Sequence, residues 1–259
     1  MKKYTIIFDS KTKISSKITP LKGKRDVSVV IPSYNEEGNV IRLIDRITKA
    51  IGKNYSFEVV IVDDASTDNT KKVLTKRALK DKNVVAVFRE GIRGIWSAQL
   101  DGVKLCRGKT VVFMDADFSH PPEKIPELLK YIPEYDFVSA SRYIGTGGMK
   151  GIPIKHYIST NMFNIGMKVI MGLKATDYTG VFHAIKKDRL MQILPKSNAL
   201  AGEFDLDLLY YAKKKRLKFK EVPFTYVYRV EGNSKSRRMR KLAFVYGMRA
   251  LKLRLFGSA

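Results

Sequence analysis

Residues 111–123 read VVFMDADFSHPPE. Four apolar residues run into two acids separated by one alanine, then into Ser-His-Pro-Pro. An apolar, β-branched run closed by turn residues reads as a buried strand. Its end on Asp115 and Asp117 sets two hard oxygen donors on an exposed turn. Mg²⁺ or Mn²⁺ takes such ligands and keeps its other positions for water or phosphate. Taken alone, an Asp-x-Asp this short is better explained as a capping turn. What lies on either side of it changes that reading.

Upstream, residues 27–31 form a second apolar run and end in Pro32-Ser33-Tyr34-Asn35-Glu36-Glu37. Residues 58–62 form a third, ending in Asp63-Asp64-Ala65-Ser66-Thr67-Asp68, and residues 83–88 a fourth. The strand at 109–114 carries the Asp-x-Asp, and one at 136–141 ends in Ser141-Arg142-Tyr143. Helical spacing separates them: Val40, Leu43, Ile44 and Ile47 within 39–51, a helix after Thr67, and stretches at 95–105 and 122–131. Strands alternating with helices predict a parallel α/β sheet flanked by helices. Ligands of such sheets bind at the carboxyl ends of the strands. Four of these five strand ends are polar, and together they predict one site.

The second half differs. Residues 155–173 carry Ile158, Met162, Ile165, Met167, Val169 and Ile170, which fits either an amphipathic surface helix or a core helix. A helix at 203–215 and a strand at 219–227 follow. Residues 237–256 read as a basic amphipathic helix, with Leu242, Val245, Met248, Leu251 and Leu255 among Arg and Lys. That composition suits an anionic bilayer surface. The expected organisation is an N-terminal extension (1–26, with one strand at 4–8), a catalytic domain (27–236) and a membrane-facing tail (237–259). A chain ending at Ser236 is then expected to leave the membrane and still bind its soluble ligand.

Composition narrows the function classes. The 259 residues carry 49 Lys and Arg against 25 Asp and Glu, a net charge of +24. Between positions 213 and 256 there are fifteen basic residues against Glu221 and Glu231. Such a surface favours polyanions: nucleic acid, an anionic membrane or phosphorylated substrates. Aromatic and basic residues are not interleaved as in a nucleic-acid binder, and charge alone leaves the acidic strand ends unexplained. No 18-residue apolar window is present, and residues 1–13 do not read as a signal peptide. The single Cys106 fits a reducing compartment. Neither a Gly-x-Gly-x-x-Gly turn nor a P-loop appears, and His120, His156 and His183 lack zinc spacing.

Six stretches carry a resemblance: VVIPSYNEEGNV (29–40), VVIVDDASTDNT (59–70), VVFMDADFSHPPE (111–123), SRYIGTGG (141–148), DYTGVFHAIKK (177–187) and YRVEGNSK (228–235). Together they resemble the dolichyl-phosphate mannose synthases, which are inverting family 2 glycosyltransferases of the GT-A fold. The resemblance implies a donor pocket lined by Pro32, Tyr34, Glu36, Val62 and Asp64. It implies Asp115, Ala116 and Asp117 facing the diphosphate, a Mg²⁺ or Mn²⁺ ion on Asp117 and Ser119, and Arg229 and Lys235 on the donor diphosphate. It implies Arg142, Lys155 and Ser159 around the acceptor phosphate, and catalytic roles for Asp115, Asp117, Arg142 and Arg229.

Departures from the pattern are Ser119 for a frequent Gln, Lys155 for Arg, Val181 for Gly, and Asp205 and Asp207 for Gln and Glu. The last pair is closer to the related glucose synthases. The implied activity is transfer of a hexose, mannose from GDP-mannose, to dolichyl or another polyprenyl phosphate at the cytoplasmic face of a membrane. Glucose from UDP-glucose is the alternative sugar. A sugar hydroxyl is the alternative acceptor, and it would need a general base, sought near Asp205 and Asp207. A lipid phosphate is already anionic and needs none.

Overall fold

Along Val27–Ile31 every residue is buried, because the strand that holds them lies in the middle of a sheet covered on both faces. The computed structural model describes residues 3–8, 11–15, 23–90, 94–194, 204–227 and 239–257. In chain order the elements are β1 (Lys3–Phe8), β2 (Lys11–Ser15), β3 (Arg25–Ser33), α1 (Val40–Ile51), β4 (Phe57–Asp63), α2 (Thr70–Lys80), β5 (Val84–Glu90) and α3 (Ile95–Leu105). Then come β6 (Gly108–Phe113), α4 (Ile125–Tyr131) behind a short 3₁₀ turn at Pro122–Lys124, β7 (Phe137–Ser141), β8 (Gly148–Lys150) and α5 (Ile154–Met171). Last are β9 (His183–Lys186), α6 (Lys187–Ile193), α7 (Phe204–Lys214), β10 (Phe219–Pro223), β11 (Thr225–Val227) and α8 (Met239–Phe256).

Nine strands form one sheet in the order β10-β7-β9-β6-β3-β4-β5-β1-β2. β10 with β7, and β6, β3, β4 and β5 in turn, pair in parallel, whereas β9 runs antiparallel between β6 and β7. Alternation along the strands divides the core in two. Val29, Ile31, Val59 and Ile61 face α1, α2 and α4. Val30, Val60, Val62, Val85 and Val87 face the side of α3, α5, α7 and α8. There Gly102 of α3 lies so close that a Cβ would stand 2.6 Å from Val30 Cγ1, so the helix reaches the sheet only without a side chain. The chain leaves β3 toward β4 on one side and pairs with β6 on the other. That makes the carboxyl ends of β3 and β6 the crevice where such sheets take ligands.

Several elements depart from the sequence reading. The expected single strand at 219–227 breaks at Phe224, whose N–H bonds Ser141 O. β10 stays in the large sheet, and β11 pairs with β8 in a two-stranded one. β9 and α6 were not anticipated, because four and seven residues are too short to show a period. The strand expected at 4–8 is half of a hairpin, β1–β2, and β1 pairs antiparallel with β5, so the leading segment widens the sheet.

α8 buries Tyr246, Ala250 and Leu253 in the same core as Met167 and Met171 of α5 and Ala212 of α7. Of the apolar residues read as its membrane face, Met248, Leu251 and Leu255 are exposed. The helix is apolar on two sides: an i, i+4, i+7 seam holds it to the domain and another stripe faces outward.

Candidate active site

Asp115, Ala116 and Asp117 leave the sheet just past β6, where the Met114 N–H still bonds Val30 O. The turn is fixed from within. Asp117 Oδ1 accepts from the Ser119 N–H at 3.1 Å and from Ser119 Oγ at 2.5 Å. Phe118 between them adopts a left-handed conformation, φ 62°, uncommon for a bulky residue. Arg42 and Arg46 of α1 stack on its ring at 5.3 and 5.0 Å, and Glu123 grips Arg46 at 2.9 and 2.7 Å. The Asp115 N–H donates to His120 Nδ1 at 3.1 Å. His120 is buried against Phe182, Phe224 and Tyr226. Burial chiefly, and Arg142 after it, push its pKa down to about 4 against the pull of Asp117. The ring is therefore neutral at pH 7, with Nδ1 as acceptor.

The residues expected to line the donor pocket come from β3, β4 and the turns after them. Pro32 and Tyr34 are half-buried, and Glu36 and Val62 are buried. Asn35, also left-handed at φ 53°, is tied to the neighbouring turn by Ser66 Oγ on its N–H (2.9 Å) and by the Thr67 N–H on its Oδ1 (2.8 Å). The Glu36 N–H donates to Thr70 Oγ1 at 2.9 Å. Asp64 accepts from Arg89 Nη1 (2.7 Å) and from the Gly94 N–H (2.6 Å), and Arg89 also reaches Ser97 Oγ (2.7 Å) and Asp101 (3.3 Å). Arg89 is thus a buried hub that fixes Asp64, and nothing in the local sequence pattern singled it out.

Tyr226 adjoins both the acids and Arg142. The Tyr226 hydroxyl pKa is raised by burial first and then by Asp117 and Asp115, and its ring lies 5.6 Å from the Arg142 guanidinium. Arg142 Nε and Nη2 fork onto Asp177 at 2.7 and 2.6 Å, and Nη2 also reaches Thr179 Oγ1 at 2.6 Å. Lys155 and Ser159 are exposed one turn apart on α5, where Ser159 Oγ donates to His156 O. Among the described residues no hydrogen bond or ion pair joins them to Arg142. Arg229 and Lys235 lie outside the described residues.

Asp205 and Asp207, where a base was sought, are 2% and 0% exposed. Asp205 faces His183 at 3.4 Å, and burial raises its pKa. Asp207 is forked by Arg249 of α8 at 2.7 Å twice. Asp207 is thus committed to α8, whereas Asp205 Oδ2 is buried with no hydrogen-bond partner among the described residues.

A divalent cation can be tested against this donor set. Among the described residues no three His, Cys, Asp or Glu side chains come together as a cage. Two carboxylates at a strand end suit a cation that keeps positions for substrate phosphates. Ser119 is fully buried with its hydroxyl on Asp117. As placed, it orients that carboxylate, and a direct bond to the cation would require the hydroxyl to turn away.

This sheet order, with an antiparallel strand beside the acidic turn, defines the GT-A class of glycosyltransferase fold. Glucosyl-3-phosphoglycerate synthase from Mycobacterium tuberculosis, solved with Mn²⁺, UDP and glucosyl-3-phosphoglycerate, superposes with a TM-score of 0.64 at 19% identity, over 89% of this chain and 80% of that one. Residues 28–194 match glycosyl transferase family 2, and the chain belongs to that family. It is 35% identical to a dolichol-phosphate mannosyltransferase of Pyrococcus furiosus, over 81% of this chain and 58% of that protein. It is 32% identical to an undecaprenyl-phosphate mannosyltransferase of Micrococcus luteus, over 81% of this chain and 86% of the relative. The chain thus spans little more than half of the archaeal relative's length.

Proposed function

We propose that the protein transfers a hexose, mannose from GDP-mannose, to a polyprenyl phosphate, with inversion at the anomeric carbon. One observation carries the reading. Tyr226, which feels the charge of Asp115 and Asp117, has a guanidinium, Arg142, against its ring, while the carboxylates a hydroxyl acceptor would need as base are buried, Asp207 on Arg249 and Asp205 beside His183. A guanidinium there is a hydrogen-bond donor aimed at phosphate oxygens, which suits an acceptor that has no proton to lose. The names of the relatives from Pyrococcus and Micrococcus support the same acceptor class and sugar.

In this reading Pro32, Tyr34, Glu36, Val62 and Asp64 hold the nucleoside, and Asp115, Ala116 and Asp117 face its diphosphate. Asp117, with Ser119 on its carboxylate, would hold Mg²⁺ or Mn²⁺, and the cation would neutralise the leaving diphosphate. Arg229 and Lys235 add charge there. Arg142, with Lys155 and Ser159, aligns the acceptor phosphate. Its oxygen forms the new bond to the anomeric carbon as the donor C–O bond breaks, and the electron pair leaves with the nucleoside diphosphate. No proton need move, so catalysis rests on placement and charge.

A lipid acceptor stays in the bilayer, so the enzyme must come to it. Exposed stripes on α5 (Ile154, Ile158, Met162, Ile165, Val169) and α8 (Phe244, Met248, Leu251, Leu255) suit interfacial insertion beside the basic side chains. Among the described residues no helix is long and apolar enough to cross a membrane. Docking at the cytoplasmic face completes the proposal. Incubation of purified protein with labelled sugar nucleotides, polyprenyl phosphate and Mn²⁺, followed by lipid extraction, tests it. Label in a β-linked lipid phosphate sugar, with GDP-mannose as donor, is expected. Label on a sugar hydroxyl, or only with UDP-glucose, overturns the acceptor or the sugar respectively.

A further inference from the structure

Arg142 does not stand free at its strand end. Asp177, 1% exposed, takes its Nε and Nη2 in a fork at 2.7 and 2.6 Å, and its backbone N–H at 3.3 Å. Thr179 Oγ1 accepts a second bond from Nη2 at 2.6 Å. Tyr143 and Tyr226 lie against the guanidinium at 5.4 and 5.6 Å. Nη1 is the one guanidinium nitrogen with no acceptor among the described residues.

Asp177 is itself fixed. Its N–H reaches Glu221 Oε1 at 3.3 Å, and the preceding Thr176 N–H bonds the same carboxylate at 2.9 Å. Gly180 leaves room for it, since a Cβ there would stand 3.2 Å from the Asp177 carboxylate carbon.

Resting on the reading of Arg142 as the acceptor contact, we propose that Asp177 is the positioning residue of the acceptor site, fixing the guanidinium so that one nitrogen, Nη1, is presented to the incoming phosphate. Burial works to raise the Asp177 pKa, but the charge of Arg142 and its hydrogen bonds outweigh it and hold the carboxyl below its ordinary value. The pair therefore stays ionised, and its charges cancel. Arg142 then offers the phosphate direction more than net attraction, which must come from cations elsewhere. Asp177 cannot be the base of an alternative mechanism, because its oxygens are committed to Arg142 and to the Thr179 N–H at 3.2 Å.

The test is a double-mutant cycle on acceptor kinetics, with donor affinity measured separately by calorimetry. Asp177→Asn should lower kcat/KM for polyprenyl phosphate on the order of 10²-fold, the usual cost of misplacing a reacting group by about an ångström, with donor Kd unchanged. In an Arg142→Ala background the same substitution should cost nothing further, because there is no guanidinium left to position. Equal losses in both backgrounds, or a loss of donor affinity, would make Asp177 a structural residue and overturn the proposal. Thr179→Val, nearly isosteric, covers the case in which Asp177→Asn does not fold. It should cost about fivefold in acceptor kcat/KM, the worth of one hydrogen bond, and nothing in the Arg142→Ala background; a loss that persists there overturns the proposal equally. If Arg142→Ala alone leaves acceptor kinetics normal, the acceptor reading itself has failed, which is a separate result.

Discussion

The two ends of the crevice, proposed to take donor and acceptor, are not held together in the same way. At the donor end the bonds that fix Asp117 come from Ser119, two residues away, and Asp115 is fixed by His120, five away. Asn35 and Glu36 are tied to the turn after β4, about thirty residues on. At the acceptor end Arg142 is held by Asp177 and Thr179, Asp177 by Glu221, and α8 by an ion pair from Arg249 to Asp207. The two acids of the turn after β6 are fixed within five residues of chain, whereas the rest of the crevice, Asn35, Glu36, Asp64 and Arg142 included, depends on pairs that only the folded chain brings together.

That contrast can be broken experimentally. The largest effect should come from Asp117→Asn. Loss of the charge that holds the cation should lower kcat by about 10³-fold or more and weaken metal-dependent donor binding. Near-normal turnover with Mn²⁺ would remove the donor end from the comparison. Next, Arg249→Ala leaves Asp207 buried without that partner. Denaturant unfolding should show a loss of about 3–5 kcal/mol, the typical cost of breaking a buried pair.

For the same reason a chain ending at Ser236 should aggregate, since removing α8 uncovers Met167, Met171 and Ala212. The sequence alone suggests instead a soluble remnant that binds donor. Arg142→Ala should reduce the lipid-dependent rate on the order of 10²-fold with donor Kd unchanged. A collapse of donor binding instead would mean that the two ends are not separate. Ser119→Ala removes one hydrogen bond to a carboxylate and should cost about tenfold in kcat, without altering the acceptor KM.

The smallest effects belong to single outward positions. Val169→Ser or Leu255→Ser should each weaken partition onto anionic vesicles about fivefold, roughly 1 kcal/mol of lost apolar burial. Flotation that ignores α8 and follows only α5 would assign the membrane contact to one helix.

How much of this was legible follows from the same contrast. The parallel strands announce themselves because both faces are buried, as in β4, where all seven residues are inside. The acids at their ends were legible by position alone. β9 was not, because His183–Lys186 takes its place from β6 and β7 rather than from a pattern of its own. Asp177 stood in a recognised motif without a stated role, since its partner lies 35 residues earlier. The two apolar sides of α8 could be counted in the sequence, but which of them faces inward depends on Met167 and Met171 across the seam.

Asn164 gives α5 a further property. Its Nδ2 donates to the Tyr143 hydroxyl at 3.0 Å, and its Oδ1 accepts from the Tyr178 N–H at 2.7 Å. Those two partners adjoin Arg142 and Asp177 in the chain. Asn164 thereby ties α5 to the residues beside Arg142 and Asp177. If α5 docks as proposed, the depth of its exposed stripe and the height of Nη1 become one quantity. The helix would then act as a depth gauge that brings the guanidinium level with the acceptor phosphate.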